Sequence, residues 1–277
     1  MKKNYKLLLI ALVATIGMIS CGKDDNPEKE SATEIATGLE VIVGGKTYLI
    51  SKVTYGDTDY GQAEYDSKGR LTKFSYFEDN ELSEYYSAVY SDNQVTVTGF
   101  EDGVEESKIV GTFGANGYVS QALETSTYSD GGFNYNYKAT DKFTYNNDGY
   151  VTKSARTEIE TSNNPNSPSS TETSTIEFSY SNGNLVKTVE KEGEDTYTNV
   201  YEYFTDKAYS PAKDLDEFGF LFGKTSKNLV KKRTETHVNN GQSNEHVTNY
   251  TYTFNTDGLP SSVNNGYETQ NISYVVK

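Results

Sequence analysis

The sequence predicts an all-β fold laid out as a single antiparallel, up-and-down meander of about sixteen strands. Three observations carry that prediction. From Leu39 onward apolar and polar residues alternate over short runs. In one such run Ile176, Phe178 and Tyr180 fall on one face, and Thr175, Glu177 and Ser179 on the other. A period of two marks a strand with one buried face. Clusters of Gly, Asn and Asp separate the runs, and helical periodicity is missing over most of the chain. Composition agrees, with 24 tyrosines beside 12 phenylalanines and no tryptophan. Tyrosine suits a sheet surface that is half in water.

The first residues form an address rather than a strand. Lys2, Lys3 and Lys6 precede an apolar run from Leu7 to Ile19. That run is shorter than the roughly 20 residues of a membrane helix and suits a signal peptide. Residues 1–20 are read as that peptide. The junction Met18-Ile19-Ser20-Cys21-Gly22 resembles the lipobox of bacterial lipoproteins, in which the cysteine is lipidated and becomes the first mature residue; Met18 replaces the usual Leu, Val or Ile. At about 0.8 kcal/mol per buried methylene, more than one acyl chain on Cys21 anchors a protein without a spanning helix. Lys23-Asp24-Asp25 resembles the export signal that takes Bacteroidetes lipoproteins to the outer face of the outer membrane. Residues 21–38 are polar and read as the lipidated cysteine and a flexible tether. Residues 39–277 form the one folded domain.

Within the domain the turns repeat. Tyr65-Asp66-Ser67-Lys68-Gly69-Arg70-Leu71 is echoed by Tyr145-Asn146-Asn147-Asp148-Gly149-Tyr150-Val151, with looser copies around Gly117, Gly183 and Gly258. An aromatic closes one strand, Asn or Asp with Gly supplies a positive-φ turn, and an aliphatic opens the next. A second turn class alternates with the first, at Asp102-Gly103, Asp130-Gly131-Gly132, Asn163 to Ser170, Glu192-Gly193 and Asn240-Gly241. Two alternating classes place one at each end of an up-and-down sheet. One segment departs from the pattern. Ser210-Pro211, Asp214 and Gly223 bracket Leu215, Phe218 and Phe222 at helical spacing, predicting a short helix near 211–222 over an open end of the sheet.

Charge excludes several classes of function. The net charge of −15, with no basic cluster longer than Lys231-Lys232-Arg233, argues against a nucleic-acid partner. One cysteine excludes a structural disulfide and a Cys-rich zinc module. No cofactor is expected.

Tyr65-Asp66-Ser67-Lys68-Gly69-Arg70-Leu71-Thr72 resembles the tyrosine-aspartate repeat of large bacterial toxin shells, although the other copies lose the arginine. A wider resemblance, over about residues 40–277, is to a Bacteroidetes lipoprotein family of unknown function described as having a porin-like fold. It rests on the lipobox, the glycine-turn hairpins, Phe222-Gly223-Lys224-Thr225-Ser226-Lys227-Asn228-Leu229 and Thr256-Asp257-Gly258-Leu259-Pro260. Val230 stands where the family often has proline. The resemblance implies a porin-like barrel or strongly curved sheet, and no activity. A barrel in lipid needs an apolar outer band. Here the apolar face is mostly Tyr with Thr and Ser nearby, so we expect a soluble form with aromatics inward and polar residues in water.

Candidate sites follow from side-chain chemistry. With Asn240-Gly241 as a two-residue turn, Glu235 faces His246 and His237 faces Asn244. Glu235, His237 and His246 then share a face and suit zinc or copper, or serve as polar cross-strand pairs. The acidic clusters at Glu101 to Glu106, Glu190 to Asp195 and Asp57 with Asp59 do not match a calcium loop and read as solvated turns. Tyr85 with Tyr86, Tyr135 with Tyr137, and Tyr201 with Tyr203 are candidate sugar platforms where they face outward, and core where they face inward. No nucleophile elbow is present, and an enzyme is not expected. The expected function is a non-catalytic module on the cell surface, anchored in the outer membrane by lipid, binding a glycan or another envelope protein. The alternatives are a carboxylate-based glycan hydrolase and a metal-binding protein using the histidine hairpin.

Overall fold

The computed structural model describes residues 40–43, 45–167, 169–208 and 219–277. The signal peptide, Cys21 and the tether expected over 1–38 lie outside the described residues. The described residues form eighteen strands in one antiparallel sheet. The first nine are β1 (Glu40–Val43), β2 (Lys46–Thr54), β3 (Tyr60–Tyr65), β4 (Leu71–Glu78), β5 (Glu81–Tyr90), β6 (Gln94–Glu101), β7 (Val104–Phe113), β8 (Val119–Asp130) and β9 (Phe133–Tyr145). The rest are β10 (Val151–Ser162), β11 (Ser170–Ser181), β12 (Asn184–Glu192), β13 (Asp195–Ala208), β14 (Asn228–Asn239), β15 (Gln242–Asn249), β16 (Thr251–Phe254), β17 (Pro260–Asn264) and β18 (Thr269–Val276).

Each stave pairs with its sequence neighbour, and β18 returns to pair with β2 through Asn271↔Thr54 to Val276↔Tyr48. The meander is a nearly closed barrel. Its count differs from the expected sixteen for two local reasons. β1 is a short strand on the flank of β2. β15 and β16 are halves of one stave interrupted at Tyr250, whose N–H donates to the Lys231 carbonyl instead. Of the helix expected near 211–222, residues 219–222 form a single 3₁₀ turn and residues 211–218 lie outside the described residues.

The two turn classes favour opposite ends, with exceptions at Asn182-Gly183, a two-residue turn at the sealed end, and at Asn264–Thr269, a loop closed by asparagine oxygens at the other. At one end Asp79-Asn80, Asp102-Gly103 and Asn240-Gly241 are two-residue turns with positive φ at both positions, the geometry that matches strand twist. At the other, a side-chain oxygen closes the loop. Asp66 Oδ1 accepts from the N–H groups of Lys68 and Arg70. Asn146 Oδ1 does the same for Asp148 and Tyr150, and Asn255 Oδ1 for Asp257 and Leu259. A register shift beside these loops, as at Glu64/Tyr65 and Val151/Lys153, pairs the closing aromatic with the opening aliphatic on one face, Tyr65 with Leu71 and Tyr145 with Val151.

That end is sealed. One core cluster runs from Val53 through Phe74, Val97, Phe143 and Phe178 round to Ile272, so the interior of the barrel is filled rather than hollow there. Tyrosines stitch the seal. Tyr65 donates to the Ile50 carbonyl, Tyr90 to Leu71, Tyr145 to Val119, Tyr203 to Leu185, Tyr252 to Val230 and Tyr274 to Pro260, over 2.5–2.9 Å. Each hydroxyl thus reaches the opening segment of the preceding stave. The segment after the 3₁₀ turn crosses the same end. Phe222 packs on Phe143 with centroids 4.8 Å apart, Lys224 N–H donates to Gly149 O, and Lys227 N–H donates to Gly183 O.

The outer face is largely polar, with scattered exposed apolar side chains such as Val89, Ile159 and Val200. Along β9 it carries Asn134, Asn136, Lys138, Thr140, Lys142 and Thr144. Hydrocarbon requires apolar residues at such positions, so this exterior suits water. No helix among the described residues is long and apolar enough to cross a membrane.

Candidate functional site

The inner face changes character along the barrel. On β12, Leu185 and Thr188 are buried, while Glu190 and Glu192, nearer the two-residue turns, are half-buried. The unsealed end is therefore a mouth, lined by inward positions of the strands that meet there.

One wall of the mouth is built from β8, β9 and β10. Arg156 is 7% exposed and donates to three carboxylates: Nη2 to Glu124 at 2.6 Å, Nη1 to Asp141 at 2.7 Å and Nε to Glu158 at 2.5 Å. Its Nη2 also donates to the Tyr137 hydroxyl at 2.7 Å. Burial pushes the Asp141 carboxyl up to about 7, and Glu124 is also raised, because one guanidinium is divided among several acids. Nearer the rim, Tyr128 and Tyr135 stack at 4.7 Å and 4°. Tyr128 donates to Glu160 at 2.9 Å, and the Asn164 amide donates to the Tyr135 hydroxyl. Burial, then the bond to Glu160, push the Tyr128 hydroxyl up to about 12.

A second wall comes from β12, β13 and β14. Tyr197 and His237, opposed in register, stack at 4.3 Å and 4°. Asp195 accepts hydrogen bonds from the Asn239 amide and from His237 Nε2, the latter at 2.6 Å, and the two hold its carboxyl below the ordinary range. Glu190 lies opposite Tyr197. Burial first, and the neighbouring Glu192 second, push Glu190 up to about 7. This wall thus holds a carboxyl near neutrality beside a firmly ionised carboxylate.

The arrangement, a β-meander barrel sealed at one end, was compared with known proteins. The family described as a domain of unknown function (DUF4595) with porin-like fold matches residues 63–262. The chain belongs to that family. A crystal structure of a porin-like protein from Bacteroides vulgatus superposes with a TM-score of 0.57 at 15% identity, covering 82% of this chain and 98% of that one. A porin-like protein from Bacteroides uniformis gives 0.48 at 19% identity, with 82% and 98% covered. No curated protein matches the chain.

In this family member the residues singled out from sequence separate into three groups. Tyr86, Tyr135, Tyr137, Tyr201 and Tyr203 all lie on the inner face, so they are not outward platforms. Tyr85 lies on the outer face, but Phe100 stacks on it at 4.6 Å and Lys73 Nζ stands 4.5 Å from its ring centroid. Both faces of that ring are occupied. The hairpin register is the expected one, with Glu235 opposite His246 and His237 opposite Asn244. The side chains nevertheless turn to different partners: His237 to Asp195, His246 to Tyr267, and Glu235 to Arg233. Among the described residues no group of three or more His, Cys, Asp or Glu side chains is placed to hold a metal ion. Sequence reasoning missed Arg156 and Asp141, and it read Glu190 to Asp195 as a solvated turn, whereas Glu190 is half-buried on the inner face and Asp195 is held by His237 and Asn239. Their only signal was alternation, which put acids at inward positions of β8, β9 and β12.

Proposed function

We propose that the protein is a non-catalytic binding module, held by lipid on Cys21 at the outer face of the outer membrane, that takes a glycan at the open mouth of the barrel. One observation carries this reading: aromatic pairs stand beside carboxylates inside the mouth, Tyr128–Tyr135 with Glu160 on one wall and Tyr197–His237 with Asp195 on another. A sugar ring offers a C–H face to an aromatic and hydroxyl donors to carboxylates. Two further features support it. The largely polar exterior leaves anchoring to the lipid, and β1 joins the barrel at the sealed-end start of β2, on the edge opposite β18, where Lys277 reaches across to Glu40 at 2.6 Å. That position favours a mouth directed away from the membrane.

The test is a broad glycan array, with mucin and plant polysaccharides, probed with the purified protein. Saturable binding is expected, weakened about tenfold (roughly 1.4 kcal/mol) by Tyr197→Ala and unchanged by Tyr85→Ala on the outer face. Binding indifferent to Tyr197 and Tyr128 would sink the mouth as the site. Silence across the array would transfer the reading to an envelope protein.

A second reading, a carboxylate-based glycan hydrolase, rests on Glu190 and Asp195. They are diagonal neighbours across β12 and β13 whose environments push their acidities apart, the usual division between a general acid and a base. Product release from array-positive glycans, abolished by Glu190→Gln with binding retained, would establish it.

A further inference from the structure

The Arg156 cluster carries more charge than it can neutralise. Glu124 and Asp141 are 4% and 2% exposed, and with Glu158 they set three carboxylates against one guanidinium. Every element packed around it adds acid or nothing. β9 contributes Asp141 and the Tyr137 hydroxyl, and β11 places Glu172 opposite Glu158. Across the interior, β5 and β6 bring Glu84 and Glu101 together in register, and both act on Tyr86, as does Glu124. β7 contributes Ile109 opposite Glu124 and Ser107 opposite Ser126. The lysines of β9, Lys138 and Lys142, lie on the opposite, outer face. Among the described residues Arg156 is the one cation on the inner face of β7 to β11.

We propose that this cluster is a proton-binding latch: folding loads a proton among the carboxylates on Arg156, so the β8–β10 wall is held most tightly in acidic surroundings and loosens as pH rises towards neutral. Geometry requires it, because two uncompensated negative charges in a buried site are far more costly than one proton taken up. Asp141 fits the role of proton carrier, since it is the most buried of the three and is raised to about 7. The sign follows from linkage. Between about pH 4, where an unfolded aspartate ionises, and about 7, the folded chain holds a proton that the unfolded chain has lost. Stability therefore falls as pH rises through that window and levels off above it. The wall concerned carries Tyr128 and Tyr135 at the mouth, so the latch would make the rim itself sensitive to pH.

The test follows thermal unfolding of the purified protein from about pH 5 to about pH 8.5, in a Glu190→Gln background that removes the other carboxyl raised to about 7. The melting temperature is expected to fall over this range by on the order of 4 °C or more. Asp141→Asn, neutral and of the same shape, should flatten the profile and raise the melting temperature at the alkaline end. An equal fall in both proteins, or a rise with pH, would overturn the proposal. Infrared spectroscopy of the Glu190→Gln protein decides the matter even where the second variant does not fold. A buried protonated carboxyl band present at about pH 6 and lost at about pH 8.5 is expected, and its absence at the lower pH refutes the latch.

Discussion

Tyr145 shows what a single side chain does in this barrel. Its ring lies in the sealed end, stacked 5.8 Å from Tyr118, and its hydroxyl donates to Val119 O at 2.6 Å. Tyr145→Phe leaves that carbonyl without this partner, at a cost of about 1 kcal/mol. In a chain of this size the melting temperature should drop by roughly 2–4 °C, measured by circular dichroism. Phe113 closes β7 without a hydroxyl, so Phe113→Tyr should be neutral or mildly stabilising. Burial also lifts Tyr65, Tyr90, Tyr145 and Tyr180 well above the ordinary tyrosine range. A raised acid stays protonated in the fold after the unfolded chain has begun to ionise, near pH 10. Stability is therefore lost as pH rises past about 10, and ultraviolet titration should show these tyrosines ionising together with unfolding rather than before it. The tyrosine excess was legible in the sequence, as was its place at strand ends. The hydrogen bonds were not, because each acceptor is fixed by strand register.

Among the elements, the segment from Gly219 to Leu229 decides how one end closes. Leu221 and Phe222 are buried, Ser226 Oγ accepts from Leu185 N–H at 3.0 Å, and Asn184 and Asn228 bind each other through both side chains and the Asn228 N–H. Phe222→Ala removes a buried ring that touches Phe143, at a cost of about 3–5 kcal/mol, and chemical denaturation should register most of it. A smaller loss at Phe222 would mean that the segment lies on the barrel without sealing it. Backbone geometry constrains the wall as well. At Gly61 a Cβ would lie 2.5 Å from the Phe74 ring, so Gly61→Ala must displace a core side chain. The Asx-Gly turns were readable because their chemistry is local: one oxygen, two N–H groups and one positive φ. Residues 219–222 were read as the end of a helix because Leu215, Phe218 and Phe222 have helical spacing, and that spacing cannot distinguish an α-helical last turn from a 3₁₀ turn.

At the scale of the whole molecule the fold inverts the arrangement of a membrane porin: most aromatics pack inward, while the outer face is largely Thr, Asn, Lys and paired acids, with outer ring pairs such as Tyr85–Phe100. The all-β class, the direction of the strands and the inward aromatics were legible from period-two alternation. Closure was not. It depends on β18 finding β2 across more than two hundred intervening residues, and no local pattern encodes that pairing. The Arg156 cluster was hidden for the same reason, since it assembles from three strands. The proposed anchor adds a separate expectation: Cys21→Ala should abolish incorporation of labelled fatty acid and release the protein from the membrane fraction. The most direct measurement of the account places a single cysteine at Asn240, on the hairpin turn at the mouth, and treats intact cells with a membrane-impermeant maleimide. The account predicts labelling of intact cells equal to that of lysed ones. Labelling that appears only after the outer membrane is breached would contradict it.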